Sequence, residues 1–412
     1  MAWMFWTLTL FFVLAGTWLA WRKIERASRK SPEERFQGIS VLKPLKGVDP
    51  GLEKNLESFF QIRYPLFELI FSVADANDPA ATHVRHLQAK YPFVRSRLLV
   101  GAEAVGLNPK VNNLTRSYRE AVFDLLLISD SNIRVAPDYL QKKLSPMRED
   151  VGVVTATVAG IEPSGFGGWL ETIYLNTFYA RGMSLAFASG NPCVIGKSML
   201  FRRSVAERFG GIRALGGYLA EDYALGEEMR MLGLKVVLMD DAISQYVGKY
   251  SLRSFWDRHV RWGRIRKAHA PWAFLAEPLF TPIISSGVAA AALSKWLAFP
   301  QALLLNLFIW MTCDLFLMRK FSGRRYLWAP LAWITRELLS LPLWLTIAAG
   351  NSVQWRGSTL FLAYGGKIVV RGQECGNLLS SGERLPVRTR LRATIDTVTG
   401  GNGRPRAILR EG

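Results

Sequence analysis

The chain has 412 residues, half of them hydrophobic, and a formal net charge of +19. That is length enough for one or two domains with proper cores, and the charge raises nucleic acid or a membrane surface as partner. The distribution excludes an ordinary soluble globule: Ala2 to Trp21 is uncharged, and Thr281 to Met318 and Leu327 to Ala349 are apolar blocks of membrane-spanning length, about 20 residues per span.

The basic residues decide between the two partners. Arg22, Lys23, Arg26, Arg29 and Lys30 follow the first block, and Arg319, Lys320, Arg324 and Arg325 follow the second. Charges that track apolar blocks fix topology and attract anionic headgroups; they do not form one continuous groove for nucleic acid. Cys193, Cys313 and Cys375 show neither metal-ligand spacing nor a paired framework, which points to a reducing, cytosolic side for the soluble part.

In chain order, residues 1–21 read as a transmembrane anchor. Nothing positive precedes them, no small-residue cleavage site is evident, and Trp18 and Trp21 mark an interfacial end. The basic linker 22–36 puts the next domain, 37–250, on the cytoplasmic side. Its strand candidates are Ile39 to Leu42, Glu68 to Val73, Arg97 to Val100, Leu125 to Ser129, Val151 to Thr157 and Lys235 to Met239. Helical candidates lie between them: Gly51 to Phe60, Pro79 to Lys90, Asn112 to Ala121, Pro137 to Met147 and Glu221 to Leu232. This alternation predicts an α/β fold with a mostly parallel sheet covered on both faces. Pro50 and Pro79 suit first helical positions, with Asp49 and Asp78 as caps.

Two later segments are amphipathic and aromatic. Phe166 to Phe187 reads either as a helix lying in the membrane interface or as a domain-core helix. Residues 251–280 mix Phe255, Trp256, Trp262 and Trp272 with six basic side chains, which favours the interface. In 281–350, Thr281 to Ala298 and Ala302 to Met318 predict an apolar hairpin. Leu327 to Ala349 carries Pro330, Arg336, Glu337 and Pro342, so a re-entrant or broken helix is expected, with the basic tail 351–412 inside; a full crossing would put the tail outside. The stretch from Asn377 to Gly412 is expected to be disordered.

Four polar clusters sit at strand ends or helix starts. Asp75 and Asp78 follow a strand and suit a nucleoside or a helix cap. Lys110 in Asn108-Pro-Lys-Val-Asn-Asn113 suits a diphosphate or a solvated turn, with Asn112 a candidate cap. Asp130, ending the apolar run Leu125 to Ile128, suits a hard divalent cation at the carboxyl edge of the sheet, or a capped turn. Asp222 opens a helix whose dipole keeps a carboxylate ionised, as a general base requires; a capping acid is the alternative. Arg258 and Arg261, three apart beside Trp262, suit a pyrophosphate or a solvated basic face.

The order of these motifs resembles the ceramide glucosyltransferases, inverting nucleotide-sugar enzymes of the Rossmann-like GT-A fold. The resemblance is carried by Val41-Leu-Lys-Pro-Leu-Lys-Gly-Val-Asp-Pro50, Asn108-Pro-Lys-Val-Asn-Asn-Leu114, Ser129-Asp-Ser-Asn-Ile-Arg-Val135, Ala220-Glu-Asp-Tyr223, Arg258-His-Val-Arg-Trp262 and Trp355-Arg-Gly357. It implies that Asp78, with Asp75 beside it, helps bind UDP, and that Asp130 binds UDP with a divalent metal, Mn²⁺ or Mg²⁺. It further implies that Asp222 is the catalytic base and that Arg258, Arg261 and Trp262 contact diphosphate and acceptor.

Three departures bear on it. Asn132 replaces the second acid of an Asp-x-Asp, Arg258 stands where polymer synthases have Gln, and Tyr179 stands where animal relatives have His. The expected activity is glucose transfer from UDP-glucose to the primary hydroxyl of ceramide. UDP-N-acetylglucosamine with a hopanoid, or another lipid alcohol, is the rival, and a non-catalytic lipid-binding protein is a rival of another class. The expected location is a bilayer with the catalytic domain cytoplasmic, the bacterial inner membrane being favoured.

Overall fold

A computed structural model describes residues 1–29, 36–355 and 358–369. Met1–Ile368 forms one compact unit; the second, Val369–Gly412, is described only at Val369, so the expected disorder of the tail lies outside the described residues, as do Arg356 and Gly357.

After helix α1 (Ala2–Arg29), strands and helices alternate as β1 (Ile39–Leu45), α2 (Leu52–Phe60), β2 (Phe67–Val73), α3 (Ala80–Lys90), β3 (Ser96–Val100), α4 (Pro109–Glu120) and β4 (Leu125–Ser129). Each helix returns the chain to the same edge, so β3, β2, β1 and β4 pair in parallel. β4 is buried throughout, with Leu125 and Leu127 in one core and Leu126 and Ile128 in the other. A near-continuous apolar run is what a strand covered on both faces demands.

Next come β5 (Ile133–Arg134), α5 (Tyr139–Leu144), β6 (Val151–Thr155) and β7 (Val158–Ser164). Helix α6 (Gly165–Ile173) runs through a π-helical turn, Tyr174–Tyr179, into α7 (Ala180–Ala188). Then follow β8 (Ser198–Arg202), the short α8 (Arg203–Ala206), α9 (Glu221–Met231), β9 (Lys235–Leu238) and β10 (Ile243–Lys249). The main sheet has seven strands in the order β3-β2-β1-β4-β8-β6-β9, parallel except where β8 runs against β4 and β6. A second sheet, β5-β10-β7, lies after the carboxyl end of β4 in the chain. The expected α/β architecture is present.

Strands β5, β7, β8 and β10 lie outside the predicted set. β7 contains Gly160 and Pro163, both poor strand residues, and β8 has only Met199, Leu200 and Phe201 as an apolar run. Helix starts also differ. Asn108, not Asn112, caps α4, accepting from the Lys110 and Val111 amides at 2.8 and 3.3 Å; Asn112 lies inside the helix and ties down Val105 and Gly106. Helix α2 begins at Leu52 behind Gly51, and Asp49 instead accepts from the Ser131 hydroxyl at 2.6 Å.

Beyond the sheets lie α10 (Leu252–His269), α11 (Pro271–Ala276), α12 (Pro282–Leu293), α13 (Phe299–Ser322), α14 (Ala329–Ala348) and the hairpin β11 (Ser352–Trp355) and β12 (Ser358–Leu362). Among the described residues, α1, α13 and α14 are long and apolar enough to cross a bilayer, and Pro271–Phe280 with α12 form a pair bent by 55°. The expected break in Leu327 to Ala349 is absent: α14 is continuous through Pro342. The charges that suggested it are satisfied inside the bundle. Arg336 pairs with Glu337 and Asp314, and Asp314 also takes the Trp333 indole at 2.7 Å and pairs with Arg181 of α7. Buried partners remove the reason for a charged span to bend away from lipid.

Helix α1 is part of this bundle rather than a loose tether. Trp6 donates to Asn306 at 2.8 Å, Asn306 donates to Ser286 at 2.9 Å, and Thr9 and Ser285 share a 2.8 Å bond. The α6 to α7 segment packs against α10 and the apolar helices: Trp169 stacks on Trp328 at 5.1 Å, and Tyr174 packs on His259 and Phe255.

Candidate active site

Strand β4 delivers Asp130 to the carboxyl edge of the main sheet, where open α/β sheets receive ligands. Lys43, buried in β1, fixes that edge: its ammonium donates to the Asp130 carbonyl at 2.9 Å and lies 3.6 Å from the centre of the Phe59 ring. Burial pushes this lysine well below its ordinary range, against the attraction of Asp130.

Around Asp130 the side chains alternate in charge. Lys110 Nζ lies 2.8 Å from Asp130 Oδ1 and 2.8 Å from Glu221 Oε1. Lys197 Nζ lies 3.1 Å from Asp130 Oδ2 and 3.0 Å from Asn132 Oδ1. Burial opposes charge on Asp130, but Lys110 and Lys197 win and hold its carboxyl far below the ordinary range. Burial likewise lowers Lys110, yet the two carboxylates raise it above its ordinary value, so it stays an ammonium.

Asp222 sits in the first turn of α9 beside Glu221. Its Oδ2 accepts from the Gly196 amide at 2.6 Å and its Oδ1 from the Tyr223 amide at 2.8 Å. One amide from the helix start and one from the loop before β8 favour the carboxylate, but burial first, and the Glu221 charge second, outweigh them and push the carboxyl up to about 6. A carboxylate poised near neutrality is better matched to taking a proton than one held strongly acidic. Gly196 leaves room for this carboxyl: a Cβ there would stand 2.9 Å from Asp222 Oδ2 and displace it. The Gly196 carbonyl accepts from Lys110 at 3.3 Å, so Asp130, Lys110, Glu221 and Asp222 form one cluster.

Asp78 is tied into the next loop. It accepts from the Gly47 amide at 3.0 Å and the Ala80 amide at 2.9 Å, joining the start of α3 to the loop after β1. Asp75, exposed, accepts from the Asn77 amide at 2.8 Å. Both occupy the same sheet edge as Asp130, linked to it by the β1 loop through Asp49 and Ser131.

Helix α10 brings Arg258 and Trp262 together, the guanidinium 4.2 Å from the ring centre. Arg258 pairs with Glu171 at 3.1 Å and donates to the Tyr250 hydroxyl at 2.8 Å; Arg261 is partly exposed on the same helix. Tyr179 meets Trp262 edge to face at 5.3 Å, and burial pushes its hydroxyl up to about 12. Sequence reasoning missed Lys43, Lys197, Glu221, Glu171 and His259. A lysine inside the apolar run of β1 was the available signal for Lys43; Lys197 and Glu171 had none.

A divalent cation fits the donor set at Asp130. Asp130 Oδ2 and Asn132 Oδ1 both face one positive nitrogen, that of Lys197, so two hard oxygens converge on a cation position. Among the described residues no three acidic, histidine or cysteine side chains cluster as a ready metal site. A metal there would complete its shell with water and phosphate, as Mg²⁺ ordinarily does.

The glycosyl transferase family 21 model matches residues 1–368. The chain belongs to glycosyltransferase family 21. It is 32% identical over 363 residues to ceramide glucosyltransferase 3 of Caenorhabditis elegans, covering 85% of this chain and 78% of that one. It is 26% identical over 420 residues to the ceramide glucosyltransferase of Komagataella phaffii, covering 78% and 82%. Among solved structures it is similar to a mannosyltransferase of Pyrobaculum calidifontis in complex with GDP-Man and Mn²⁺, at 17% identity and TM-score 0.46, covering 84% and 98%. The family 21 chain is thus a glycosyltransferase, and its apolar helices make it a membrane protein.

Proposed function

We propose that this enzyme transfers glucose from UDP-glucose to the primary hydroxyl of ceramide, with inversion, at the cytoplasmic face of the membrane that holds it, a bacterial inner membrane. The observation that carries the reading is the cluster joining Asp222, Glu221, Lys110 and Asp130 at the sheet edge. The names of the relatives, ceramide glucosyltransferase, support the donor and acceptor. The basic residues at the C-terminal end of α1, Arg22 and Lys23 among them, support a cytoplasmic site.

In this mechanism Asp222 Oδ takes the proton of the lipid hydroxyl. The acceptor oxygen bonds to the anomeric carbon as the bond from that carbon to the UDP oxygen breaks, on the opposite face. Lys110 and Arg258 face the negative charge that develops on the departing diphosphate, and Asp75 and Asp78 hold the nucleoside end. Asp130 and Asn132 would hold Mn²⁺ or Mg²⁺, which when bound supplies further neutralisation of the diphosphate. Trp262, Tyr179 and Arg261 border the acceptor side.

The test is glycolipid formation by the purified protein in nanodiscs. UDP-glucose, UDP-galactose and UDP-N-acetylglucosamine are each paired with ceramide, diacylglycerol and a hopanoid tetrol, with and without chelator. Glucosylceramide formation that chelation abolishes is expected. A different productive pair would replace the donor or acceptor, and turnover indifferent to chelation would remove the metal.

A further inference from the structure

The two oxygens of Asp130 are engaged by two ammonium groups with unequal holds. Lys110 is bound by carboxylates on both sides, Asp130 and Glu221, each at 2.8 Å, and also reaches the Gly196 carbonyl. Lys197 is bound by one carboxylate oxygen at 3.1 Å and one neutral amide oxygen, that of Asn132, at 3.0 Å. Lys197 is also pressed by like charge, since Arg258 and Lys110 both act on it. An ammonium is a compact charge on a flexible stem, so the weaker of the two holds is the one that can be exchanged.

The position matters because a divalent cation and an ammonium cannot share the same oxygen pair. A Mg²⁺ ion sits about 2.0 to 2.1 Å from its oxygens, and a lysine nitrogen about 3 Å away from the same oxygens would repel it strongly. We propose that Lys197 is a displaceable internal counter-ion. It occupies the Asp130–Asn132 oxygen pair in the donor-free enzyme and yields it when a nucleoside diphosphate arrives to accept the ammonium. This rests on the metal position of the preceding section. It adds that the metal site is closed by the chain's own cation until the donor enters. Metal and donor binding are therefore positively coupled, and each raises the affinity for the other by the same factor. The single Asn at position 132 is part of the device: a second carboxylate there would hold Lys197 as firmly as Glu221 helps hold Lys110.

The experiment measures binding, not turnover. Free Mn²⁺ is followed by electron paramagnetic resonance as it is titrated into the detergent-solubilised full chain, with and without UDP. The proteins are wild type, Lys197→Met, Lys197→Gln and, as a control, Asp130→Asn. UDP binding is monitored in parallel by tryptophan fluorescence. In the wild type Mn²⁺ is expected to bind weakly alone and at least tenfold more tightly with UDP. Losing one charge-assisted contact that competes for the site should make donor-free Mn²⁺ binding about tenfold tighter in both Lys197 variants, and the enhancement by UDP should shrink accordingly. Equal donor-free affinity and equal enhancement in wild type and variants would overturn the role of Lys197 while leaving the metal position intact. Absence of Asp130-dependent Mn²⁺ binding in every protein, with UDP still bound, would overturn both. Lys197→Gln keeps a hydrogen-bonding side chain, so it carries the same test if Lys197→Met fails to fold.

Discussion

Glu171 Oε2 lies 2.7 Å from His259 Nε2, and the two side chains are 0% and 2% exposed. The other oxygen of Glu171 pairs with Arg258 at 3.1 Å, so one buried carboxylate orients two consecutive residues of α10. Burial would raise the Glu171 carboxyl, but Arg258 and His259 hold it down to about 2. Removing it leaves a guanidinium buried without its counter-charge, which costs about 3 to 5 kcal/mol. Glu171→Ala is expected to unfold or lose activity. Glu171→Gln, which also loses the charge but keeps the volume and an acceptor oxygen for Arg258, should be destabilised less than Glu171→Ala and show a raised KM for the sugar nucleotide, with Glu171→Asp between it and wild type. Steady-state kinetics of the three variants check this; an unchanged KM in Glu171→Gln would remove Glu171 from the positioning of Arg258.

The Asp222 carboxyl sets an acid limb. A base must be ionised to act, and this one titrates at about 6, so kcat/KM should fall as the pH drops below about 6. Stability runs the other way for this group. Its folded value is raised from an ordinary 3.8, so the folded state holds the proton more tightly, and the group's contribution weakens as pH rises from 3.8 to 6. Asp222→Asn should abolish turnover while leaving UDP affinity within a few-fold, measured by fluorescence titration.

Glu221 and Lys110 tune that limb. Lys110 is one of the groups that lower Asp222, and it separates Glu221 from Asp130. Lys110→Met should therefore move the acid limb of kcat/KM above 6 and weaken UDP binding together. A limb that stays in place would show that Lys110 acts on the diphosphate alone.

Much of this was legible because it followed from periodicity. The run Leu125 to Ile128 ending in Asp130 reads as a covered strand delivering either a site carboxylate or a capped turn to the sheet edge, and β4 is that strand. The helix start at Glu221 was visible for the same reason. What could not be read came from distant residues meeting. Lys197 precedes β8, whose three apolar residues are too few to mark a strand, and nothing local says that its ammonium reaches Asp130 across 67 positions. Glu171 lies among aromatics that suit either a membrane interface or a core, and only the packing of α6 on α10 shows it to be a counter-ion. Arg336 and Glu337 suggested a broken helix because the carboxylate that completes their pair, Asp314, lies 22 residues from Arg336 on another helix, where nothing local announces it.

That buried group gives the last prediction. Asp314 of α13 receives Arg181 from α7, Arg336 at 2.8 Å and the Trp333 indole at 2.7 Å, and so joins α7 to the apolar helices α13 and α14. Two guanidinium groups depend on it, and one carboxylate, Glu337, remains to balance them when it is gone. Asp314→Ala should destabilise the protein by about 3 to 5 kcal/mol, the cost of stranding a buried charge. Asp314→Asn keeps the hydrogen-bond acceptor for Trp333 but not the charge and should fall between. If the cost is electrostatic, Asp314→Ala combined with Arg336→Met should recover part of the loss, because the second change removes the stranded charge. Thermal unfolding of the detergent-solubilised proteins, read as loss of the monodisperse peak in size-exclusion chromatography, orders the four. A double variant no better than Asp314→Ala would mean that packing of α13 on α14, and not charge balance, is what Asp314 maintains.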